Sequence, residues 1–461
     1  MINQLISPKF LLILAPVSII SMLVFSGCDG QPEIEQDSDK ELSEEALLDT
    51  VQYHTFQYFW DGAEPNSGMA RERYHVDGHY PQDDKHIVTL GGSAFGVMAI
   101  IVGIERDFIS REEGVDRLER IITFLEDADR YHGAWPHWMN GETGETKPFS
   151  EYDDGADLVE TAFMAQSLIT LRQYLKTGNK REQAIADKAD QLWQEIEWDW
   201  FTRGGENVLY WHWSPNHGWA MDHKIEGYDE TLITYVMAAA SPDHSIDPEV
   251  YHEGWARGGD IEMEDHEAFG YSLPFRHNHA EEYSGPLFWA HYSYLGLDPR
   301  ELEDDYGNFW KNNRNHTLIH REYAIENPHN FAGYDENTWG LTASYSVDGY
   351  AAHRPYDEDL GVITPTAGLS SFPYTPEESM GLMKNLYHEY GDNIFGKYGF
   401  YDAFSVEHDW YPERYLAIDQ GPIVNMIENH RSGLLWELFM SSEEVQEGLD
   451  KLGFEYKTDY D

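Results

Sequence analysis

Two kinds of helix alternate along this sequence. Stretches such as SAFGVMAIIVGI (93–104) and LVETAFMAQSLITL (158–171) are apolar or small almost all round, whereas REEGVDRLERIITFLEDADR (111–130) has one apolar and one charged face. A helix that is apolar on every side must be buried on every side, and a two-faced helix keeps one face in solvent. The alternation therefore predicts an inner ring of helices shielded by an outer ring.

Helical patterns recur along most of the chain, with no alternation of strands and helices. Ser110 with Glu113, and Thr375-Pro376 with Glu378, resemble capping boxes at helix starts. The sequence therefore predicts one all-α domain over residues 43–461, built as an (α/α)6 toroid, which is a double ring or six-hairpin barrel. The predicted helices are Ser43–Trp60, Gly92–Arg106, Arg111–Asp129, Gly155–Lys176, Lys180–Trp200, Asp229–Ala240, Asp247–Ala256, Tyr283–Leu295, Pro299–Ala324, Pro376–Tyr390, Pro422–Met440 and Ser442–Leu452.

The N-terminus has the pattern of an export signal. Lys9 precedes an apolar run over residues 10–25, which is short for a membrane span and typical of a secretory signal. The run ends at Ser26-Gly27-Cys28, which resembles the lipobox of bacterial lipoproteins, and Cys28 is the only cysteine. We expect a signal peptide over 1–27, lipidation of Cys28 and an acidic tether over 28–42. The alternative is an ordinary signal peptide with an incidental cysteine.

Charge and composition limit the partners. The chain has 31 basic and 84 acidic residues, a formal net charge of −53, so it would repel nucleic acid and other polyanions. A neutral substrate is favoured. The 22 histidines form no His-Glu-x-x-His motif, and His277 and His279 have no partner at a recognisable spacing. With one cysteine and no phosphate- or dinucleotide-binding motif, we expect no metal and no cofactor.

The segment SEYDDGADLVE (150–160) carries a first group of candidate catalytic carboxylates. Asp153, Asp157 and Glu160 are spaced to lie along one face if the helix begins early enough. Carboxylates so close repel one another, which raises the pKa of one of them, as a general acid requires. The alternative interpretation is ordinary helix capping, with Asp154 as the N-cap and Asp157 as its partner.

Two further helix starts carry acidic residues. Asp229 is a natural N-cap, and Glu230 follows it in the first turn. Asp419 stands three residues before Pro422, which we expect at the first position of the next helix. Acidic residues at the start of three inner helices are what a carboxylate site at one end of a barrel would require.

Tryptophans cluster in the loops beside these helix starts. They stand in short Gly, His and Pro contexts, not at helical spacing. Indole faces stack on sugar rings, so we expect them to bind substrate, although packing within the core or a lid is the alternative for about half of them. The candidates are Trp135, Trp138, Trp211, Trp213 and Trp219.

Seven longer strings of the sequence together form a specific pattern. They are TLGGSAFGVMAI (89–100), GAWPHWMNGETG (133–144), YDDGADLVETAFM (152–164), NTWGLTASYSVDGYAAHRP (337–355), ITPTAGLSSFPYTPEESM (363–380), YGFYDAFS (398–405) and YLAIDQGPIVNMIENHRSGLLWELFM (415–440). This pattern resembles the bacterial glucoamylase-like domain, a family that includes the β-1,2-glucanases of glycoside hydrolase family 144, and the resemblance covers roughly residues 45–445. It implies an (α/α)6 barrel, inverting hydrolysis and an acidic pocket whose matching positions are Asp153, Asp157, Glu160, Glu230 and Asp419. The family pattern has Asn where Asp229 stands.

This resemblance implies a β-1,2-glucan hydrolase. Together with the lipobox at Cys28, it predicts an enzyme anchored by lipid in the envelope of a bacterium, in the periplasm or at the outer membrane, and we expect a monomer. Inversion needs an acid and a base about 6.5–9.5 Å apart, so the two roles fall to different helices. Glu230 is the expected acid and Asp157 or Asp419 the base, while Asp153 and Glu160 hold sugar hydroxyls or tune a pKa. The rival functions are a polysaccharide lyase on a similar toroid and a non-catalytic glycan-binding lipoprotein.

Overall fold

The computed structural model describes residues 42–263, 266–280 and 283–458. The expected signal peptide, Cys28 and all of the tether except residue 42 lie outside the described residues. From residue 43 onward the chain belongs to one structural unit. No helix within the described ranges has the length and apolarity that crossing a bilayer requires.

Helices make up most of the ordered structure. Besides the α-helices there are short 3-10 helices at Trp198–Thr202, Arg257–Gly259, Leu287–Ala290 and Tyr292–Tyr294, and one π-helical turn at Val250–Trp255. The α-helices are α1 Glu44–Trp60, α2 Leu90–Glu105, α3 Arg111–Asp127, α4 Leu158–Leu175, α5 Lys180–Gln194, α6 Leu232–Ala240, α7 Phe309–Glu326, α8 Pro365–Leu369, α9 Pro376–His388, α10 Gly391–Ile394, α11 Ala417–Arg431, α12 Leu434–Met440 and α13 Glu443–Leu452.

The helices form two layers. Helix α2 is buried from Leu90 to Ile104, α4 from Leu158 to Leu171, and α6 along its whole length. These helices pack on one another, α2 against α4 and α11, and α4 against α6. Helices α3, α5 and α13 cover them, and each keeps one charged face in solvent. The predicted all-α fold, an (α/α)6 toroid with an inner and an outer ring, is confirmed.

Short strands hold the starts of the inner helices. Three of them lead directly into a helix, β2 into α2, β5 into α4 and β13 into α11, and each is paired with a strand from elsewhere in the chain. The strands are β1 Arg73–His75, β2 Ile87–Thr89, β3 Trp138–Asn140, β4 Thr146–Lys147, β5 Ala156–Asp157, β6 His212–Trp213, β7 Glu267–Ala268, β8 Tyr271–Ser272, β9 Ala343–Ser346, β10 Gly349–Ala352, β11 Phe395–Gly396, β12 Gly399–Phe400 and β13 Arg414–Leu416.

Two predicted helices, both in the middle of the chain, were wrong. The helix expected over Tyr283–Leu295 is replaced by two short 3-10 helices, and the chain is extended at Pro286, just before the first of them. The helix expected over Asp247–Ala256 is the single π-helical turn Val250–Trp255. Most of the apolar and aromatic residues in the two stretches are buried without a regular α-helix.

The boundaries of other helices differ from the predicted ones. The helix expected from Pro299 begins only at Phe309, because Glu301 adopts a positive φ of 59°. The helix expected over Pro422–Met440 begins earlier, at Ala417, and is divided into α11 and α12 at Gly433, whose φ is 76°. The capping box of Ser110 is confirmed, whereas the Thr375 side chain caps no backbone N–H.

Candidate active site

The three acidic helix starts meet at one end of the barrel, as the sequence predicts. Pairing of β5 with β6 sets Asp157 opposite His212 and fixes the start of α4. Asp419 lies in the first turn of α11, three residues after β13 ends. Glu230 stands just before α6, and the negative charges of Glu160 and Asp157 act on it directly.

Asp157 is the most constrained carboxylate of the site. It is the N-cap of α4, and its Oδ1 accepts the Glu160 N–H at 3.0 Å and the Trp211 Nε1–H at 2.9 Å. Its Oδ2 lies 2.9 Å from His137 Nδ1. Burial alone would raise the pKa of Asp157, but His212 and His137 hold that pKa below its ordinary value. The alternative in which Asp154 caps the helix is therefore wrong.

His137 and His212 complete a cluster around Asp153 and Asp157. His137 Nδ1 lies 3.7 Å from Asp153 Oδ2, and His212 Nδ1 lies 3.6 Å from Asp153 Oδ1. Burial opposes a charge on His137, yet Glu160 and the two aspartates raise its pKa to about 10. His137 is thus a cation between carboxylates at neutral pH.

The same cluster has donors of the kind that bind metal ions. Ligand atoms of His137, Asp153 and Asp157 all lie within 4.8 Å of one another. Imidazole and carboxylate together suit a divalent transition metal. With His137 protonated, its ion pair with Asp157 offsets only part of the negative charge of the three side chains.

Glu160 lies in the first turn of α4 and contacts the start of α2. Its Oε2 accepts the Gly91 N–H at 2.5 Å. A Cβ at position 91 would stand 2.6 Å from the same oxygen, so only glycine allows this approach. Burial raises the pKa of Glu160 to about 7, with Asp157 adding to the rise and His137 opposing it.

Glu230 and Asp229 form the second acidic group. Asp229 does not cap α6 as expected; its Oδ1 accepts the Thr231 N–H at 3.0 Å and its Oδ2 accepts from Asn278 Nδ2 at 2.8 Å. Burial raises the pKa of Asp229 to about 6. Burial and the adjacent Asp229 raise the pKa of Glu230 well above its ordinary value. Glu230 is half-buried, so its carboxyl remains accessible to a ligand.

Asp419 has a partner that the sequence analysis missed. Asp402 follows β12, and the Asp402 and Asp419 side chains are hydrogen-bonded to each other. Burial and the charge of Asp402 raise the pKa of Asp419 well above its ordinary value. The Tyr292 hydroxyl donates to Asp419 Oδ1 at 3.5 Å.

The predicted tryptophans divide into separate groups. Trp138 and Trp211 flank the carboxylate cluster, Trp138 beside His137 and Trp211 through its hydrogen bond to Asp157. Trp213 projects from β6 on the face opposite to His212 and packs with Trp200, on which Trp219 also stacks at 4.8 Å. The Trp213 and Trp219 indoles therefore pack with Trp200 and do not flank the carboxylate cluster.

Trp135 is not a substrate-binding residue. Its side chain is 0% exposed, its Nε1–H donates to the Leu125 carbonyl at 3.1 Å, and the Arg130 guanidinium lies 4.4 Å above its ring. No face of this indole is open to a sugar. The alternative that the sequence left open, packing within the core, is the correct one for Trp135.

Sequence reasoning missed the polar partners of the carboxylates: His137, His212, Asn278, Tyr292 and Asp402. His137 and Asp402 do lie within the strings GAWPHWMNGETG and YGFYDAFS, which carry the family resemblance. Neither stands at a helix start, which is where the sequence places the candidate carboxylates. His212 could have been found from its place opposite Asp157, but that pairing is visible only once the strands are known.

Comparison with known proteins gives the family. The Glycoamylase (glucoamylase) family model matches residues 222–443. An endo-β-1,2-glucanase from Chitinophaga pinensis, solved with sophorotriose and glucose, is 60% identical with a TM-score of 0.89; the alignment covers 90% of this chain and 99% of that one. A β-1,2-glucanase structure from Parabacteroides distasonis is 42% identical with a TM-score of 0.84, over 90% of this chain and 60% of that one.

A curated relative adds a second activity to the comparison. It is an exo β-1,2-glucooligosaccharide sophorohydrolase acting at the non-reducing end, from Parabacteroides distasonis, 43% identical over 426 residues and 89% of this chain. The chain spans 58% of the length of that relative. With 60% identity over 99% of the Chitinophaga pinensis structure, the chain belongs to the glucoamylase-like family of glycoside hydrolases, as its motifs predict.

Proposed function

We propose that this protein hydrolyses β-1,2-glucan with inversion, using Glu230 as the general acid and Asp419 as the general base. The observation that carries the proposal is the convergence of Glu230 with Glu160 and Asp419, from two other helix starts, around Tyr292. Tyr292 links the groups, because it hydrogen-bonds to Asp419 and also faces Glu230 and Glu160. An inverting glycosidase needs an acid and a base of this kind on opposite sides of the scissile bond.

Glu230 has the properties of the acid. Its carboxyl is half-buried, and burial together with Asp229 raises its pKa well above the ordinary value. A carboxyl whose pKa approaches the working pH holds its proton in the resting enzyme and can donate it to the leaving oxygen. Asp229 supports this state, because it is itself held in place by Thr231 and Asn278.

Asp419 is the better of the two candidate bases. Both oxygens of Asp157 already accept hydrogen bonds from protein donors, and its pKa is lowered, so it is a weak proton acceptor. Asp419 Oδ2 receives no hydrogen bond from any N–H or O–H donor in the described part of the chain. Its raised pKa makes it the stronger base of the two.

The remaining acidic residues orient the substrate and set the charge of the pocket. Asp157 fixes His137 and Trp211, and Glu160 joins the starts of α4 and α2. Asp153 faces both histidines and is placed to accept a sugar hydroxyl. Trp138, beside His137, is the tryptophan we assign to stacking on a sugar ring.

The substrate follows from charge and from the relatives. A net charge of −53 disfavours an anionic polysaccharide and leaves a neutral glucan. The Chitinophaga pinensis relative, with 60% identity, is an endo-β-1,2-glucanase bound to sophorotriose. We propose that the protein acts on this linkage as a monomer, attached by a lipid on Cys28 to the bacterial cell envelope.

The full chain, incubated with linear β-1,2-, β-1,3-, β-1,4- and α-1,4-glucans, tests the activity. Chromatography of the products should show sophorose or longer β-1,2-oligosaccharides from the first substrate alone, and early NMR spectra should show the inverted α-anomer. Unsaturated sugars that absorb ultraviolet light would instead indicate a lyase. Binding of glucan without any product would indicate a glycan-binding protein.

The anchor is tested separately. The wild-type chain should fractionate with membranes, and Cys28→Ser should release or mislocalise it while the folded domain keeps its activity. Equal membrane association of the two chains would contradict lipidation at Cys28.

A further inference from the structure

Asp402 and Asp419 form a buried pair of carboxyl groups from different parts of the chain. Asp402 follows β12, where its N–H donates to the Arg414 carbonyl, and Asp419 lies in the first turn of α11. Their exposed fractions are 2% and 1%. Both carboxyls are therefore removed from bulk water, which is costly for two negative charges side by side.

Few donors stabilise the pair. Asp402 Oδ2 accepts the Tyr345 N–H at 2.7 Å, and Asp419 Oδ1 accepts the Tyr292 O–H at 3.5 Å. The other two oxygens, Asp402 Oδ1 and Asp419 Oδ2, are buried and receive no N–H or O–H donor among the described residues. The two carboxyl groups are nevertheless in hydrogen-bond contact with each other.

The surrounding charges do not compensate the pair. Within the described ranges neither aspartate has an ion-pair contact with a Lys, Arg or His side chain. Glu72, before β1, adds a further negative charge. Arg73 pairs with Glu72 at 3.6 Å and with Asp84 at 3.4 Å, and Arg414 lies over the Tyr345 ring at 5.3 Å.

The hydroxyls that face the pair, those of Tyr292 and Tyr350, are neutral. An ionised carboxyl group only accepts hydrogen bonds, so a hydrogen bond between two carboxyls requires a proton on one of them. We propose that Asp402 and Asp419 share a single proton at neutral pH, and that Asp402 is a positioning residue that sets the proton affinity of Asp419.

This inference rests on the proposed function for its role in hydrolysis. Two carboxyls that share one proton titrate as a unit and carry one negative charge over a range of pH. A singly charged pair can accept the proton of the attacking water. It also avoids a second charge beside Glu72 and Glu230. Asp402 would thus keep Asp419 usable as a base without itself touching the substrate.

Infrared spectroscopy of the full chain labelled with [4-13C]aspartate tests the shared proton without substrate. At pH 8 ordinary aspartates are ionised, and so is Asp229, whose pKa is about 6. We expect one C=O band of a protonated aspartic acid that shifts on labelling. The band should disappear in Asp402→Asn and in Asp419→Asn. Asp298→Asn is the matched control, because Asp298 is equally buried but bound by Arg300 at 2.6 Å, and the band should remain.

Absence of the labelled band in the wild-type chain would overturn the proposal without any variant, so misfolding of a variant cannot hide that result. A band that survives in Asp402→Asn would show that the two residues do not share the proton. Hydrolysis gives the second readout: kcat of Asp402→Asn should fall at least about tenfold while glucan binding is kept. If the wild type shows the predicted band but the kcat of Asp402→Asn is unchanged, the positioning role of Asp402 is overturned. If the wild-type chain does not hydrolyse β-1,2-glucan at all, the proposed function is refuted, whereas the shared proton is still judged by the infrared band.

Discussion

The starts of α4 and α11 carry aspartates that are buried to the same degree but whose pKa values are shifted in opposite directions. Asp157 is 0% exposed and Asp419 is 1% exposed. Asp157 accepts hydrogen bonds from Trp211, His137 and a backbone N–H, and its pKa is lowered. Asp419 faces another carboxyl and one distant hydroxyl, and its pKa is raised.

The difference shows that hydrogen-bond donors and neighbouring charges, more than burial, decide the direction in which the pKa of a carboxyl in this site is shifted. Burial penalises the ionised form of both residues by the same mechanism. A cationic His137 and well-placed N–H groups outweigh that penalty at Asp157, and nothing comparable is present at Asp419. Glu230 belongs with Asp419, since Asp229 and Glu160 add negative charge beside it.

The largest effect is expected at Glu230. Glu230→Gln keeps the size of the side chain but has no proton to donate at neutral pH. General acid catalysis contributes about 10²–10⁴-fold, so kcat on linear β-1,2-glucan should fall by that factor while the Kd for the glucan stays near that of the wild type.

Asp154→Asn is the control for Glu230→Gln. Asp154 Oδ2 accepts from Asn216 Nδ2 at 2.7 Å, and among the described residues no hydrogen bond or ion pair joins its side chain to the carboxylate cluster, so the turnover of Asp154→Asn should remain near that of the wild type. Near-normal turnover of Glu230→Gln would show that another group supplies the proton.

Asp157→Asn tests the aspartate whose pKa is lowered, because it removes the carboxylate that pairs with His137. Asn still caps α4, so the helix start is kept, but the charge that pairs with His137 is lost. Removing one partner of a buried ion pair costs about 3 kcal/mol of unfolding free energy, measured by urea denaturation at pH 7. Asp154→Asn should change stability by less than about 0.5 kcal/mol. Equal stability of the two variants would mean that the His137–Asp157 pair does not contribute.

Glu160→Gln tests a carboxyl with a raised pKa through the pH dependence of the free energy of unfolding. The pKa of Glu160 is raised from its ordinary value to about 7 in the folded protein, so the wild type binds the extra proton more tightly when folded. Its contribution to stability is complete at low pH and is lost as pH rises through that window. Gln cannot titrate, so the variant should gain about 2 kcal/mol relative to wild type between pH 5 and pH 7.5. Parallel stability curves for the two proteins would contradict the raised pKa.

The ring of helices could be predicted because its signal is local. Helices such as α2 and α4 are apolar on all sides, and α3 is two-faced, so each sequence window reports its own layer. The helix expected over Tyr283–Leu295 failed because its aromatic residues are as compatible with buried 3-10 turns as with a helix. The pairing of short strands was invisible for a similar reason, since two or three residues carry no periodicity.

The site was predicted in its carboxylates and not in their partners. Asp157 and Asp419 stand at helix starts, a position that sequence reveals. His212 reaches Asp157 across a strand pair, and Asp402 reaches Asp419 from a loop, and neither contact follows from spacing. The charge state of each carboxyl depends on these partners, so it could not be assigned from sequence.

The central claim is that buried carboxyls of one site have pKa values shifted in opposite directions, and a 13C NMR titration of the side-chain carboxyls tests it most directly. Chains labelled with [5-13C]glutamate or [4-13C]aspartate, compared with Glu230→Gln and Asp157→Asn, identify the two resonances by their loss. The account predicts that Glu230 titrates well above 4.5 and Asp157 below 3.8. Titration of both carboxyls at their ordinary values would contradict it.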